Sequence, residues 1–482
     1  MTSELLVEPE LEFGGGLRHI DIRFGIMGYG PFDAALDYAP KRVRIGVVGT
    51  EKTLEKFLKW LDECRAGIAA KEGNKPNLFP RFPGLGEDVA LRCSVVTDQA
   101  LQRSVHFNAI RGIIQKSDHN QAVIHAAELF HRELEYLSKS KTALADVLVC
   151  APPVEMFRFF DRGSDEEEED ETQAPTETGQ LDFHDLLKAK SLGLRVPIQF
   201  VRPATYDPTA KEIRKKGTER RVQDPATRAW NFFTALYYKA GGTPWRLARD
   251  PSDLASCFIG VSFYRVMDGK SLSTSVAQVF NERGQGIILT GGPAEYTKDD
   301  QRPHLPADDA YSLLKRALEA YQTEHETTPA RVVIHKSSLF SKIEREAMEK
   351  AVTEQRISRR DFVTLDRSFT RFFRIGAYPP LRGTFVNFDD DRSILYTKGS
   401  VDFFKLYPGL YVPKTLSIRT QACDQTARQI ASEILALTKL NWNNTQFDSF
   451  YPITLKAARQ VGAILRHLDG NPPALTRYAY YM

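Results

Sequence analysis

Cysteine is scarce. The chain has five in 482 residues, Cys64, Cys93, Cys150, Cys257 and Cys423, and no two stand in a CxxC. That spacing gives neither a zinc site nor a disulfide framework, and it suits reduced, buried thiols in a cytoplasmic protein. Long apolar runs are missing too: no stretch approaches the 18 residues a membrane-spanning helix needs, so no membrane partner is expected. The N-terminus, MTSELLVEPELEFGGG, is acidic and lacks a basic segment followed by an apolar one, so it does not read as a signal peptide. A phosphate-binding P-loop is absent, because GVVGTEKT lacks the G-x4-G-K-[ST] spacing. No internal repeat period stands out.

What is present suits a globular α/β protein. Hydrophobic residues make up 42% and aromatics 11%, and 482 residues is long for a single core, so two or three units are expected. The formal charge of +3 hides seven consecutive acids, Asp165 to Glu171; without them it rises to +10, which permits a nucleic-acid partner. Residues 162–180 read as a disordered acidic surface loop. A second polar insertion, Tyr206 to Val222, carries Lys211, Arg214, Lys215, Lys216, Arg220 and Arg221, which either touch a sugar-phosphate backbone or simply face water. Residues 1–145 are strand-helix units, with strand and turn pieces such as Ile20 to Phe24 at the start. A second α/β unit begins at about residue 246.

The stretch from Leu181 to Trp245 is the most informative. His184 and Lys188 stand four apart in a helical segment and so share a face. Gln199 heads a short β-like run ending before Pro203, and a helix from about Pro225 ends with Lys239 before Gly241-Gly242. An imidazole, two ammoniums and an amide thus fall within one α/β unit and suit a phosphate. Spacing alone equally describes a solvated helix face and a lysine at a helix C-terminus.

H184-x3-K188, Gln199 and Lys239 followed by AGG resemble the guide 5′-end pocket in the MID domain of Argonaute proteins. Further landmarks resemble the PIWI domain of that family: PPLRGTFV (Pro379 to Val386), LYTKGS (Leu395 to Ser400), YPGLYVPKTLSI (Tyr407 to Ile418) and ILALTKLNWNNTQFDSFYPITLKAARQVG (Ile434 to Gly462). The resemblance runs from about Asp146 to the C-terminus and points to the short prokaryotic class, with MID and PIWI but no PAZ domain. It implies a Rossmann-like MID domain followed by an RNase H-like PIWI domain: 1–145 as the N-terminal part of the MID lobe, 146–245 as its guide-end-binding core, and 246–482 as PIWI.

Cleaving members of the family hold two metal ions with carboxylates, the hard oxygen ligands such ions require. By resemblance, Ser262 and Lys336 stand where two of those acids belong, and Pro452 to Arg466 contains no Asp, Glu or His. The implied PIWI domain therefore binds without cutting, with no catalytic residue and no metal site. Lys439, Asn441 and Asn443 stand at positions where the family contacts guide backbone, and Arg459 and Arg466 could add phosphate contacts from the last helix.

The resemblance further implies a short 5′-phosphorylated guide, RNA, paired with target single-stranded DNA. It also implies a heterodimer with an APAZ-domain effector (a sirtuin-like or TIR NADase, or a nuclease) in defence against plasmids or phage. It leaves room for Mg2+ at the guide 5′-phosphate and gives no NAD site in this chain. Two alternatives stay open: a guide-dependent endonuclease with displaced acids, and a two-domain α/β metabolic enzyme with a cleft at its strand ends.

Overall fold

Runs such as IGVVG and VLVCA show no polar alternation, the pattern of parallel strands covered on both faces. The computed structural model describes residues 1–73, 75–116, 118–140, 144–160, 180–211, 222–248, 250, 254–267, 272–280, 286–296, 302–373, 375–376, 380–404, 407, 412–446, 449–468 and 477–482. The acidic run, most of the basic insertion (Arg214 to Arg221) and parts of the 379–386 and 407–418 landmarks lie outside the described residues.

The first strand, β1 (Thr2–Leu5), belongs to the larger of the two main sheets. The smaller sheet consists of β2 (Arg42–Gly49), β3 (Ser94–Val96), β4 (Val147–Ala151) and β5 (Ile198–Phe200) in the order β3-β2-β4-β5, all parallel, with Gln102–Ser104 also beside β2. Alternate side chains of β4 serve opposite cores. Val147, Val149 and Ala151 pack with α1 (Glu51–Ala66), and Leu148 and Cys150 pack with α2 (His119–Ser138) and α3 (Phe183–Ser191). A further helix, α4 (Pro225–Lys239), joins α1 on the first face. This is a Rossmann-like layer order.

Local chemistry fixes the helix ends. Thr50 and Thr53 form a capping box at the start of α1, which stops at Gly67 with φ +98°. Asp224 caps α4, Pro225 is its first residue, and Gly241 at φ +96° ends it. At Ile20 to Phe24 the structure corrects the sequence reading: residues Ile22–Tyr29 are helical. The Asp21 carboxylate accepts from the backbone N–H groups of Arg23 and Phe24, so a capping residue starts a helix where turn punctuation suggested a strand.

The larger sheet is assembled around β6 (Ser256–Arg265), which pairs antiparallel with β7 (Leu272–Phe280); β8 (Gly286–Leu289) follows at that edge. After α5 (Ala307–His325), strand β9 (Arg331–Lys336) lies parallel to β6. After α6 (Lys342–Glu354), β10 (Arg359–Ser368) lies parallel to β9. Then β11 (Thr384–Asn387), β12 (Arg392–Leu395) and β13 (Thr415–Gln421) give the order β1-β11-β12-β13-β10-β9-β6-β7-β8. Helices α7 (Ala427–Leu437) and α8 (Ile453–Leu465) cover one face and α5 with α6 the other. This is an RNase H-like core. The assignment of residues 1–145 to the first lobe is corrected at its start: β1 pairs with β11, Thr2 opposite Asn387 and Leu5 opposite Thr384, because its partner edge belongs to the second sheet.

The lobes share a core. Trp442 stacks on Tyr238 of α4 at 4.5 Å, the Trp245 indole N–H donates to the Lys439 carbonyl at 3.0 Å, and α8 residues Ala457, Val461 and Ile464 pack in the cluster that holds α4. Four of the five cysteines are buried and all are free thiols; burial pushes Cys93 up to about 12. Among the described residues no helix is long and apolar enough to cross a membrane.

Candidate functional site

Between α3, β5 and α4 the sheet brings together the four residues singled out by the sequence. Asp182 caps α3, accepting from the Asp185 N–H at 2.9 Å, and this sets the helix so that His184 lies at its outer edge and Lys188 points inward. Lys188 is 3% exposed. Its ammonium donates to the backbone oxygens of Tyr481 (3.3 Å) and Met482. Lys239, 5% exposed, donates to the Ile198 carbonyl at 2.9 Å and to the Gln199 Oε1 at 2.7 Å. Gln199 in turn donates from Nε2 to the Phe200 carbonyl at 3.0 Å. His184 is half-buried, meets the Phe200 ring edge-on at 5.1 Å and bonds to Asp185 at 2.8 Å.

The electrostatics are unusual for a protein interior. Burial pulls the Lys188 pKa down to about 8, against the opposing field of Asp185. Burial also lowers Lys239 well below its ordinary range, and the neighbouring Lys188 charge adds to the effect. Two ammoniums thus share a desolvated space, and Lys239 has only neutral acceptors. Asp185 lies below the usual carboxylate range; burial opposes its charge, but the hydrogen bond and charge of His184 outweigh it. His467, beyond α8, feels the same carboxylate, yet burial still lowers it to about 4, leaving a neutral imidazole.

Asp185, His467 and the backbone oxygens of Tyr481 and Met482 escaped the sequence reading. Asp185 adjoins His184 and could have been noticed. The others reach the pocket only through the packing of α8 and the C-terminal residues against α3. Asp182, His184 and Asp185 each bring one ligand atom within 4.8 Å of the others, the one such group among the described residues. Two carboxylate oxygens and an imidazole nitrogen suit a divalent cation. The floor of the pocket, lined by the Lys188 and Lys239 amines, does not.

In the larger sheet the side chains divide by face. A Cβ at Gly260 would meet the Thr454 carbonyl of α8, so Ser262, two residues on, looks to the α8 side. His335 looks the same way, bonding Thr454 Oγ1 at 2.8 Å, and is lowered to about 3 by burial and Arg331. Lys336 therefore points to the opposite face. There its ammonium meets both Glu344 oxygens at 2.7 Å and lies over the rings of Phe263 and Phe340. This corrects the reading of Lys336 as a residue in a metal-ligand place: by strand alternation Ser337, not Lys336, shares the side of Ser262.

The backbone-contact candidates also divide. Lys439 is fully buried, paired with Glu8 at 3.0 Å and donating to the Pro9 carbonyl, so the surface contact expected of it is corrected to an internal ion pair. Asn441 is buried and accepts from the Asn443 N–H at 3.2 Å, while Asn443 is exposed. Arg459 lies over the Tyr451 ring at 4.0 Å, and Arg466 is half-buried at the end of α8. Lys211 is exposed.

This two-sheet arrangement recurs in solved structures. Clostridium butyricum Argonaute, bound to a guide DNA (5′ deoxycytidine) and a 19-mer target DNA, superposes with a TM-score of 0.64 at 14% identity, over 98% of this chain and 54% of that one. The chain is Argonaute-like in fold. Drosophila Piwi (TM-score 0.58, 13% identity) is matched over 99% of this chain and 56% of its own. Marinitoga piezophila Argonaute in complex with 5′ OH guide RNA (0.58, 10%) is matched over 100% and 59%. The chain thus spans little more than half the length of these Argonaute structures. No family model matches the sequence, and no curated relative does.

Proposed function

We propose that the chain binds the phosphorylated 5′ end of a short guide strand, RNA, and uses it to recognise complementary single-stranded DNA. The observation that carries this reading is the buried pair Lys188 and Lys239, two ammoniums held together without a carboxylate at Lys239. Such a pair calls for a multiply charged anion, and a terminal phosphate carries nearly two negative charges. Gln199 supplies a neutral donor. His184, at the outer edge, supplies a stacking face worth roughly 1–3 kcal/mol to the first base. A Mg2+ ion there would draw on Asp182 and Asp185 and add positive charge beside the phosphate.

On this reading, residues 146–245 form the guide-end core and 246–482 a PIWI domain that binds without cutting. Ser262 on the α8 side and the absence of Asp, Glu and His from Pro452 to Arg466 support that part. A binding protein of this kind needs a reporter, and the sequence resemblance supplies one: an APAZ-domain effector partner, NADase or nuclease, acting against plasmids or phage from a cytoplasmic heterodimer. Proteins recovered with the chain from its native host test this. Absence of an effector from that preparation removes the partner.

The central test is competition between two oligonucleotides of one sequence, one with a 5′-phosphate and one with a 5′-hydroxyl. The phosphorylated strand should win by at least about 100-fold, the worth of two charge-assisted contacts. Equal binding would end the proposal and favour a pocket like that of a 5′-hydroxyl guide complex. Incubation with Mg2+ or Mn2+ and a matched target should leave the target intact; guided cleavage would restore the nuclease alternative.

The preference should also depend on pH. Above about 8, Lys188 loses its proton and with it the attraction for phosphate. The ligand-free protein should move the other way. The unfolded chain keeps the Lys188 proton up to its ordinary value of about 10.4, so it binds more protons than the folded one over that interval, and stability rises with pH. Binding and melting measured at pH 7 and 9 check both signs.

A further inference from the structure

Lys239 is held where an ammonium is unfavourable. It is the last residue of α4, helix ends fray, and its long stem would reach water after a small rotation of the final turn. The contacts that hold this turn lie on the far side of the helix from the pocket. Tyr237, two residues earlier, stands about 200° round the helix from Lys239. Its hydroxyl donates to Asp33 Oδ1 at 2.7 Å, and the Thr243 N–H, beyond the Gly241-Gly242 turn, donates to Asp33 Oδ2 at 2.7 Å. One carboxylate thus grips the helix before its end and the chain after it. Gly242 permits this close approach, because a Cβ there would strike the Tyr237 ring.

Asp33 is a costly residue for that task. It is 0% exposed, and burial raises its pKa against the opposing effects of Tyr237, Thr243 and Lys41. It also sits at a helix C-terminus, where the backbone carbonyls disfavour an anion. It is not the counter-ion of Lys239, whose ammonium meets Ile198 and Gln199 and is shifted by burial and by Lys188. What the carboxylate supplies is two acceptor oxygens on a fixed segment. The Phe32 N–H donates to the Pro244 carbonyl at 3.0 Å, and Lys41 donates to the Ala34 carbonyl at 2.6 Å, so the backbone on either side of Asp33 is tied down.

We propose that Asp33 is a positioning residue for the guide-end pocket: by holding Tyr237 and Thr243 it fixes the last turn of α4 and keeps the Lys239 ammonium turned inward beside Gln199. It touches no ligand itself. The role rests on the pocket reading above, and it gives residues 31–34, which precede the stretch that carries the sequence resemblance, a part in that pocket.

The test uses the full chain, first without nucleic acid. Lysines are acetylated with acetic anhydride and read peptide by peptide in a mass spectrometer. In the unaltered chain Lys239 should be protected, as should the buried Lys336 and Lys439. Asp33→Ala should speed labelling of Lys239 by about 10-fold or more while Lys336 and Lys439 stay protected, the mark of a local opening. Asp33→Asn, whose amide can accept from the Thr243 N–H and donate to the Tyr237 oxygen, should restore protection. Tyr237→Phe removes one of the two bonds, leaves the core filled and should fall between. The same variants then enter the competition between 5′-phosphate and 5′-hydroxyl strands, where Asp33→Ala should lose about 10-fold of the preference and Asp33→Asn should regain it. Lys239 protected in both Asp33→Ala and Tyr237→Phe, labelling that rises equally at Lys336 and Lys439, or a released Lys239 with unchanged preference overturns the positioning role. An unaltered chain without any phosphate preference instead sinks the pocket reading, whatever the labelling shows.

Discussion

A chain carrying Lys188→Met and Lys239→Met should melt at a higher temperature than the unaltered protein while losing its preference for a phosphorylated strand. An ammonium held at a pKa of about 8 rather than its ordinary value costs the folded state about 3 kcal/mol at neutral pH. Lys239, buried beside it, adds a penalty of the same kind. Methionine fills similar space without charge. It gives up hydrogen bonds to Tyr481, Met482, Ile198 and Gln199, each worth about 1 kcal/mol. With both penalties removed the balance favours the variant, in the range of about 1–4 kcal/mol found when buried charges are replaced by apolar groups of similar volume. Binding should move the opposite way, by at least about 100-fold against the phosphorylated end. Calorimetric melting and strand competition on the same preparation check both halves. A variant that melts lower would mean the lysines serve the fold; one that still prefers the phosphate would mean they do not hold it.

The contrast with Lys439 shows what the sequence could and could not reveal. His184, Lys188, Gln199 and Lys239 lie within 56 residues and on elements whose period and caps are local, so their convergence was legible. The parallel strands were legible too, because IGVVG and VLVCA have no polar side to show. Lys439 looked no different from a surface lysine at a helix end. Its counter-ion is Glu8, 431 residues away, and no local pattern links the two. Lys336 failed for another reason. The strand was recognised, but whether His335 or Lys336 faces α8 depends on which helices cover which side. The Ile22–Tyr29 helix was missed because one capping aspartate was outweighed by the glycines around it.

Glu8 gives the sharpest converse. Glu8→Ala should destabilise the protein by about 3–5 kcal/mol, the cost of leaving buried charge without its partner. The carboxylate meets Arg382 at 2.9 Å and Lys439 at 3.0 Å, and both cations are almost wholly buried. Burial raises its pKa, but the two cations together hold it below the ordinary range. Its contribution is therefore full above the unfolded carboxylate value and is lost as pH falls through the lowered one. Both cations lose their counter-ion in the variant: Arg382 keeps Thr397, Leu435 and Thr438 as acceptors, and Lys439 keeps the Pro9 carbonyl. Adding Lys439→Met to Glu8→Ala should recover a good part of the loss, and melting of the two single variants and the double measures the coupling. Strand binding should be untouched in the folded fraction, since the ammonium of Lys439 faces inward. If Glu8→Ala melts with the unaltered chain, or if Lys439→Met alone weakens strand binding, the division between paired lysines that build the fold and unpaired ones that wait for an anion fails.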